Sequence, residues 1–533
     1  MNKKVIITIL LALVAMSGQA QTISKDWFKT DTITVKGRIE GYDAELFGFT
    51  SMECYFEDIF EKDETTLVLD IAEDGTFCKK FQASYPIRLS FLADYSKVDF
   101  DEIPFFAYPG ETIDITVKKI AMPHSASSEN EQGQYKCIYN NGSSRDVQRW
   151  LRTYQSNRSL TSSLRNTNIN FTVTNKNAET VWKDLKHQLQ TVSQREHYTP
   201  LEEQLALACM QVDFASAYMD YALFRDDSLD CHALFDETKY TTVLQRIDFD
   251  NPLMLVSDSY SNLLNRIQYA KPVRQVLDND SVSANQQTID YYSVLRQMLG
   301  AKGNTLMAQL CSYKVMQDNF KFWRNNRDLL LEHMKRHGAT LSDTLWQKAF
   351  EKIPSVDERF NIFINHITHP YIHQKAEQFY NNQMAQTDIA SPLPVTPMAD
   401  LIRSLCAKYP GKILMIDFWG MSCGPCRGAI QLSKELRAEI AKRDDVKLIF
   451  IAGERTIEGS DEYKKYVSEW LADEETICVT KSDFVRLQEL FQFNSIPHYE
   501  TITPDCRRVR EDLSIGGYHN FEYELERLKE KLK

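Results

Sequence analysis

After residue 20 the 533-residue chain has no run approaching the roughly 18 apolar residues that a membrane helix requires. A surplus of positive charge is missing too. There are 62 Lys and Arg against 74 Asp and Glu, a formal net charge of -12, which disfavours nucleic acid or another polyanion as partner. The 11 cysteines are scattered and odd in number, unlike the dense, even spacing of a disulfide framework. One pair is closely spaced, and none of the other cysteines supplies the second ligand pair that a zinc site needs. No period of about 34 residues or similar recurs, which argues against a regular solenoid. Hydrophobic residues make up 43% of the chain, ample for real cores, so wholesale disorder is excluded as well.

Lys3 and Lys4 precede an apolar run from Val5 to Met16, and Gly18-Gln19-Ala20 offers small residues for cleavage. Residues 1–20 are expected to be a secretory signal peptide, with the remainder soluble in the periplasm. Residues 22–120 alternate with period two at Ile33, Val35 and Ile39, at Leu67, Leu69 and Ile71, and at Ile113, Ile115 and Val117. With turn signals at Asp74-Gly75 and Tyr108-Pro109-Gly110, they predict an antiparallel β-sandwich. The polar residues 121–145 predict a linker. Residues 146–385 predict an all-α region. Thr199-Pro200-Leu201-Glu202 reads as a capping box with a first-turn proline, and Val181, Leu185, Leu189 and Val192 form an apolar stripe. His366, His369 and His373 are close in sequence, but Pro370 interrupts them and no nearby carboxylate stands at ligand spacing, so no metal is assigned. Pro392, Pro394 and Pro397 make residues 386–400 an extended linker, and an α/β domain is expected over 401–533.

The chemistry is concentrated at residues 413–427. Ile413 to Phe418 is an apolar run with Asp417 as its only charge, and it predicts a buried strand. From Arg427 onward, Ala429, Ile430, Leu432, Leu436 and Ile440 keep a helical stripe, which puts Cys423 at a helix start. Unpaired N–H groups and the helix dipole favour a thiolate there, so Cys423 is expected to attack and Cys426, one turn inside, to resolve. A carboxyl inside an apolar strand has a raised pKa, which suits Asp417 to carry the proton of Cys426.

Asp417-Phe418-Trp419 and Cys423-Gly424-Pro425-Cys426-Arg427 resemble the thioredoxin superfamily, and within it the TlpA/ResA-like thiol-disulfide oxidoreductases of the bacterial cell envelope. Ser495-Ile496-Pro497 is similar to that family's cis-proline loop. The resemblance covers roughly residues 390 to 533. It implies a thioredoxin-like fold and a redox disulfide between Cys423 and Cys426. It also implies a client surface made by Trp419, Gly424, Pro425, Ile496 and Pro497, and neither cofactor nor metal. Ser422 and His498 depart from the family pattern and are expected to alter the rim of the site. The reading is an exported three-domain protein that reduces disulfides of envelope proteins and is recharged by an inner-membrane electron donor. Two alternatives stand beside it: a binding or scaffold protein whose β and helical regions do the main work, and a disulfide oxidase or isomerase.

Overall fold

A computed structural model describes residues 27–61, 65–120, 134–154, 157, 175–224, 244–277, 284–299, 305–336 and 355–533. The expected export signal at residues 1–20 lies outside them. Among the described residues no helix is long and apolar enough to cross a membrane.

The alternating N-terminal segments become β1 (Asp31–Ile39), β2 (Ser51–Phe56), β3 (Thr65–Asp70), β4 (Thr76–Ala83), β5 (Ile87–Leu92), β6 (Glu102–Ala107), β7 (Thr112–Ile120) and β8 (Gln134–Tyr139). They form two four-stranded sheets, ordered β4-β1-β7-β8 and β3-β2-β5-β6. Ile33, Val35 and Ile39 are fully buried, as period two requires. Two expectations are corrected. The sandwich is not wholly antiparallel, since β1 and β7 run parallel; side-chain alternation is the same in both senses, so strand direction cannot be read from it. Nor is 121–145 simply a linker. Residues 134–139 pair along β7 as an edge strand, and Ser144, fully buried, donates to the Phe106 carbonyl at 2.7 Å.

The helical region contains α1 (Asn175–Glu196), α2 (Pro200–Phe224), α3 (Tyr260–Gln268), α4 (Lys271–Leu277), α5 (Ala284–Leu299), α6 (Leu306–Arg336), α7 (Val356–Ile364) and α8 (Pro370–Ala385). The cap at the start of α2 is reciprocal: the Thr199 N–H donates to Glu202 Oε2 at 2.8 Å, and the Glu202 N–H to Thr199 Oγ1 at 3.3 Å. The three histidines diverge. His366 stacks on Tyr292, His369 meets the edge of Phe28, and His373 pairs with Glu377. Among the described residues no group of His, Cys, Asp and Glu is arranged to hold a metal.

Sandwich and helices do not form two separate cores. One continuous apolar cluster runs from Ile33 and Phe105 through Leu205 and Tyr313 to Ile372. Tyr313 and Gln317 of α6 both donate to the Phe60 carbonyl, at 2.8 and 3.1 Å. Arg88 of β5, almost wholly buried, reaches Asp258 at 2.9 Å and lies over the Tyr154 ring at 3.8 Å. These contacts join residues far apart in sequence, which periodicity cannot register.

The C-terminal module has β9 (Ala390–Pro392), α9 (Pro397–Lys408), β10 (Ile413–Trp419), α10 (Gly424–Leu432), α11 (Lys434–Ile440), β11 (Val446–Glu454), α12 (Asp461–Trp470), β12 (Glu475–Thr480), α13 (Lys481–Phe491), β13 (His498–Ile502), β14 (Arg507–Val509) and α14 (Phe521–Leu532). The 386–400 linker is therefore corrected as well. Its middle is an edge strand on β14, and Pro397 opens α9 behind a Thr396 cap. The six-stranded sheet is ordered β12-β11-β10-β13-β14-β9, with β10 central, parallel to β11 and antiparallel to β13. On one face Met415 and Trp419 pack with Cys426, Ile430, Phe521 and Leu525. On the other, Leu414, Ile416 and Phe418 pack with Ile402, Leu405, Leu487 and Phe491.

Helix α13 covers β3, the edge of the second sandwich sheet, an arrangement that hides unpaired strand groups. Thr66 Oγ1 donates to the Phe493 carbonyl at 3.0 Å, Arg486 reaches Asp70 at 2.6 Å, and Glu489 accepts from Lys79 and from the Val68 N–H. Glu489→Ala is expected to cost about 1–2 kcal/mol, because it removes a charge-assisted bond and leaves the Val68 N–H without its acceptor. A urea titration followed by tryptophan fluorescence measures this.

Candidate active site

Strand β10 is buried along its whole length, and it delivers the chain to the corner at Gly420. Cys423 is the N-cap of α10, with extended backbone, and its sulfur accepts the Cys426 N–H at 3.1 Å. Pro425 occupies the first turn, where its missing N–H costs nothing. Cys423 and Cys426 are joined by a disulfide. The two sulfurs are not equivalent: Cys423 keeps 9% of its surface, whereas Cys426 keeps 1%. A thiol from outside therefore meets Cys423 first, and the helix-terminal N–H that faces this sulfur stabilises it as a thiolate.

Gly424 and Pro425 are exposed beside the pair, and a Cβ at Gly424 would meet nothing within 4 Å. Gly424→Ala is accordingly expected to change stability by less than about 0.5 kcal/mol, which thermal unfolding checks. The Ile496-Pro497 peptide is cis. The Ile496 carbonyl lies 3.6 Å from the Cys423 sulfur, and the Ile496 side chain packs against the apolar clusters on both faces of the sheet. Cys423 and Ile496 are thus brought together, with Gly424, Pro425 and Pro497 exposed next to them in the chain.

Trp419 is placed differently from the sequence expectation. It is fully buried, with its ring stacked on Tyr463 and tilted against Tyr466, so it packs inside the module and offers no exposed surface beside the disulfide. The reason is period two: Trp419 follows Met415 and Asp417 on the inward face of a strand with no exposed residue. His498 is also corrected as a rim residue. Its register partner is Phe418, which turns its ring to the face opposite the disulfide. There it stacks on Phe493 at 4.1 Å and pairs with Glu500 at 2.8 Å. Ser422 is exposed beside Cys423.

Asp417 is 2% exposed, on the disulfide's side of the sheet. Its Oδ2 accepts from the Tyr518 hydroxyl at 2.6 Å, and its Oδ1 has no partner. Burial raises the carboxyl to about 7, against the lowering effects of the Tyr518 hydrogen bond and the Arg437 guanidinium. Tyr518 itself stays a neutral donor, because burial and the Asp417 charge push its hydroxyl well above its ordinary value. Arg437 is held behind the site by Glu474 at 2.6 Å and the Trp470 carbonyl at 2.9 Å.

Sequence reasoning missed Tyr518, Tyr499 and Arg437. Tyr518 reaches Asp417 from a position 101 residues later in the chain. Gly517 just before it has φ +147, a conformation that L side chains rarely adopt, and a Cβ there would lie 3.4 Å from the Tyr499 ring. The Gly516-Gly517 pair was the available signal. The site thus combines an outer sulfur, a shielded inner sulfur and, on the same side of the sheet, a buried carboxyl raised toward neutrality.

No family model matches the chain, and no curated protein matches it. Solved structures with partial similarity include the thioredoxin domain of a thiol-disulfide oxidoreductase from Bacteroides vulgatus, at 20% identity, covering 24% of this chain and 82% of that one, with a TM-score of 0.19. A thiol:disulfide interchange protein from Bacteroides sp. is similar at 18% identity over 23% of this chain and 76% of its own, with a TM-score of 0.19. StoA from Bacillus subtilis is similar at 15% identity over 23% of this chain and 84% of its own, also with a TM-score of 0.19.

Proposed function

We propose that this protein is an exported thiol-disulfide oxidoreductase that reduces disulfides of cell-envelope proteins. The observation that carries the reading is the disulfide at the start of α10, whose outer sulfur keeps some exposed surface and faces a helix-terminal N–H while the inner sulfur is shielded. In the reduced protein the Cys423 thiolate attacks a client disulfide and expels one client thiolate, forming a mixed disulfide. Ionised Asp417 takes the proton of Cys426. The Cys426 thiolate then attacks Cys423, releasing the second client thiolate and leaving the Cys423–Cys426 disulfide. The Ile496 backbone, beside the Cys423 sulfur, is where an extended client segment pairs, and Gly424 and Pro425 leave room for it.

The direction of electron flow is argued from the dipeptide between the cysteines. Thioredoxin, which shares Gly-Pro there, lies at about −270 mV and the oxidase DsbA at about −120 mV. That gap of about 150 mV is roughly 7 kcal/mol in favour of the disulfide form, and hence of giving electrons away. Ser422 is a single polar rim residue, and the His498 ring lies on the far face of the sheet, so little near the sulfurs opposes this. An oxidising compartment would drain such a reductase unless an inner-membrane donor recharges it, and that donor is part of the proposal. The full-length protein, reduced and freed of reductant, should precipitate insulin by cleaving its interchain disulfides. Insulin left intact by stoichiometric reduced protein would overturn the reading.

A further inference from the structure

The C-terminal module contains a second pair of cysteines with no part in the exchange described above. Cys406 lies in the last turn of α9, and Cys506 closes the loop between β13 and β14. Both are half-buried free thiols. Both pack on the same apolar cluster, the one containing Ile402, Leu405 and Ile502, and their side chains interact directly with one another.

The loop supplies an independent observation. The Thr503 N–H donates to the Arg507 carbonyl and the Cys506 N–H to the Thr503 carbonyl, each at 2.9 Å. These bonds enclose Pro504, Asp505 and Cys506 as a three-residue hairpin loop. Such loops end on a residue in the left-handed region, the place where glycine belongs. Cys506 occupies it with φ +60, a conformation that is strained for an L side chain. A cysteine in a glycine position gains nothing from the turn. What it does gain is the neighbouring sulfur of Cys406.

We propose that Cys406 and Cys506 close to a second, structural disulfide when the protein meets a disulfide oxidant. The bond fastens the end of α9 to the hairpin whose first strand begins beside Pro497. With oxidised glutathione as oxidant, one of the two cysteines, as its thiolate, attacks one glutathione sulfur and expels the other as a thiolate. The other cysteine loses its proton, attacks the protein sulfur of the mixed disulfide and expels the second glutathione thiolate. Two protein thiols and one glutathione disulfide become one protein disulfide and two glutathione thiols. The inference stands on residues separate from Cys423 and Cys426 and does not depend on what that pair does.

The test uses the full-length chain carrying Cys423→Ser and Cys426→Ser, equilibrated with excess oxidised glutathione, alkylated under denaturing conditions and digested without reductant. The expected result is one disulfide-joined peptide pair containing Cys406 and Cys506, with the loss of both thiols from the alkylated pool and their return after dithiothreitol. A melting temperature higher in the oxidised than in the reduced protein is expected with it. Adding Cys506→Gly, which suits the left-handed position and so preserves the hairpin, should abolish that difference while Cys406 remains available for alkylation or a single glutathione. Cys406 and Cys506 each alkylated, or each carrying its own glutathione, with no joined peptide, overturns the proposal.

Discussion

Cys426→Ser should leave the full-length protein covalently joined to its clients, because Cys423 can still attack but nothing inside the module can release it. Cys423→Ser should do the opposite, forming no mixed disulfides and lowering insulin reduction by about 10³-fold or more, as expected for the loss of an attacking nucleophile. The asymmetry follows from burial. With 9% of its surface accessible against 1%, Cys423 is the sulfur more open to a client, and the Cys426 N–H that faces it favours a thiolate there. Non-reducing gels after rapid acid quenching and alkylation read both variants. Adducts on Cys426 in the Cys423→Ser protein would reverse the assignment.

Asp417→Asn should slow exchange and stabilise the fold at the same time. The carboxyl is about 7 in the folded protein and near 3.8 when exposed, so the folded state holds the extra proton between those values. Its contribution to stability is fully present below about pH 4 and is lost as pH rises through about 7, where the charge is buried. Asparagine never carries that charge, and its side-chain oxygen can still accept from Tyr518. The variant is therefore expected to be more stable than the parent by up to about 4 kcal/mol at pH 8, with little difference at pH 4. The rate moves the other way. Above pH 7 the parent has an ionised base for Cys426 and the variant has none, a loss of about 10²-fold. Near pH 5.5 Asp417 is protonated and the two proteins should converge. Urea titrations and stopped-flow exchange at both ends of the range measure this. A variant that matches the parent in rate at pH 8 would remove Asp417 from the mechanism.

The parts of the site that could be read from the sequence are those set within one local segment. A strand with a single charge, a turn, and a helix beginning at Cys423 need only neighbouring residues. What sequence could not supply was register and long-range contact. His498 follows Pro497 and so looked like a rim residue, yet pairing with Phe418 sends its ring through to the other face. Trp419 looked like a surface aromatic, yet β10 is covered on both sides. Tyr518 completes Asp417 from a distant loop. The missed strands share a physical reason too. Edge strands β8, β9 and β12 are short and half-exposed, and their hydrophobic pattern is correspondingly weak. The fusion of sandwich and helices into one core rests on contacts such as Arg88 with Asp258 and Tyr313 with Phe60, which no window of sequence contains.

The central claim is that Cys423 and Cys426 form a reducing couple. Its most direct measurement is the midpoint potential of that pair in the full-length protein, obtained by equilibration in graded glutathione buffers, acid quenching, alkylation and mass spectrometry of the peptide carrying both cysteines. The account predicts a value near that of thioredoxin, about −270 mV. A value above about −180 mV, in the range of isomerases and oxidases, would contradict it.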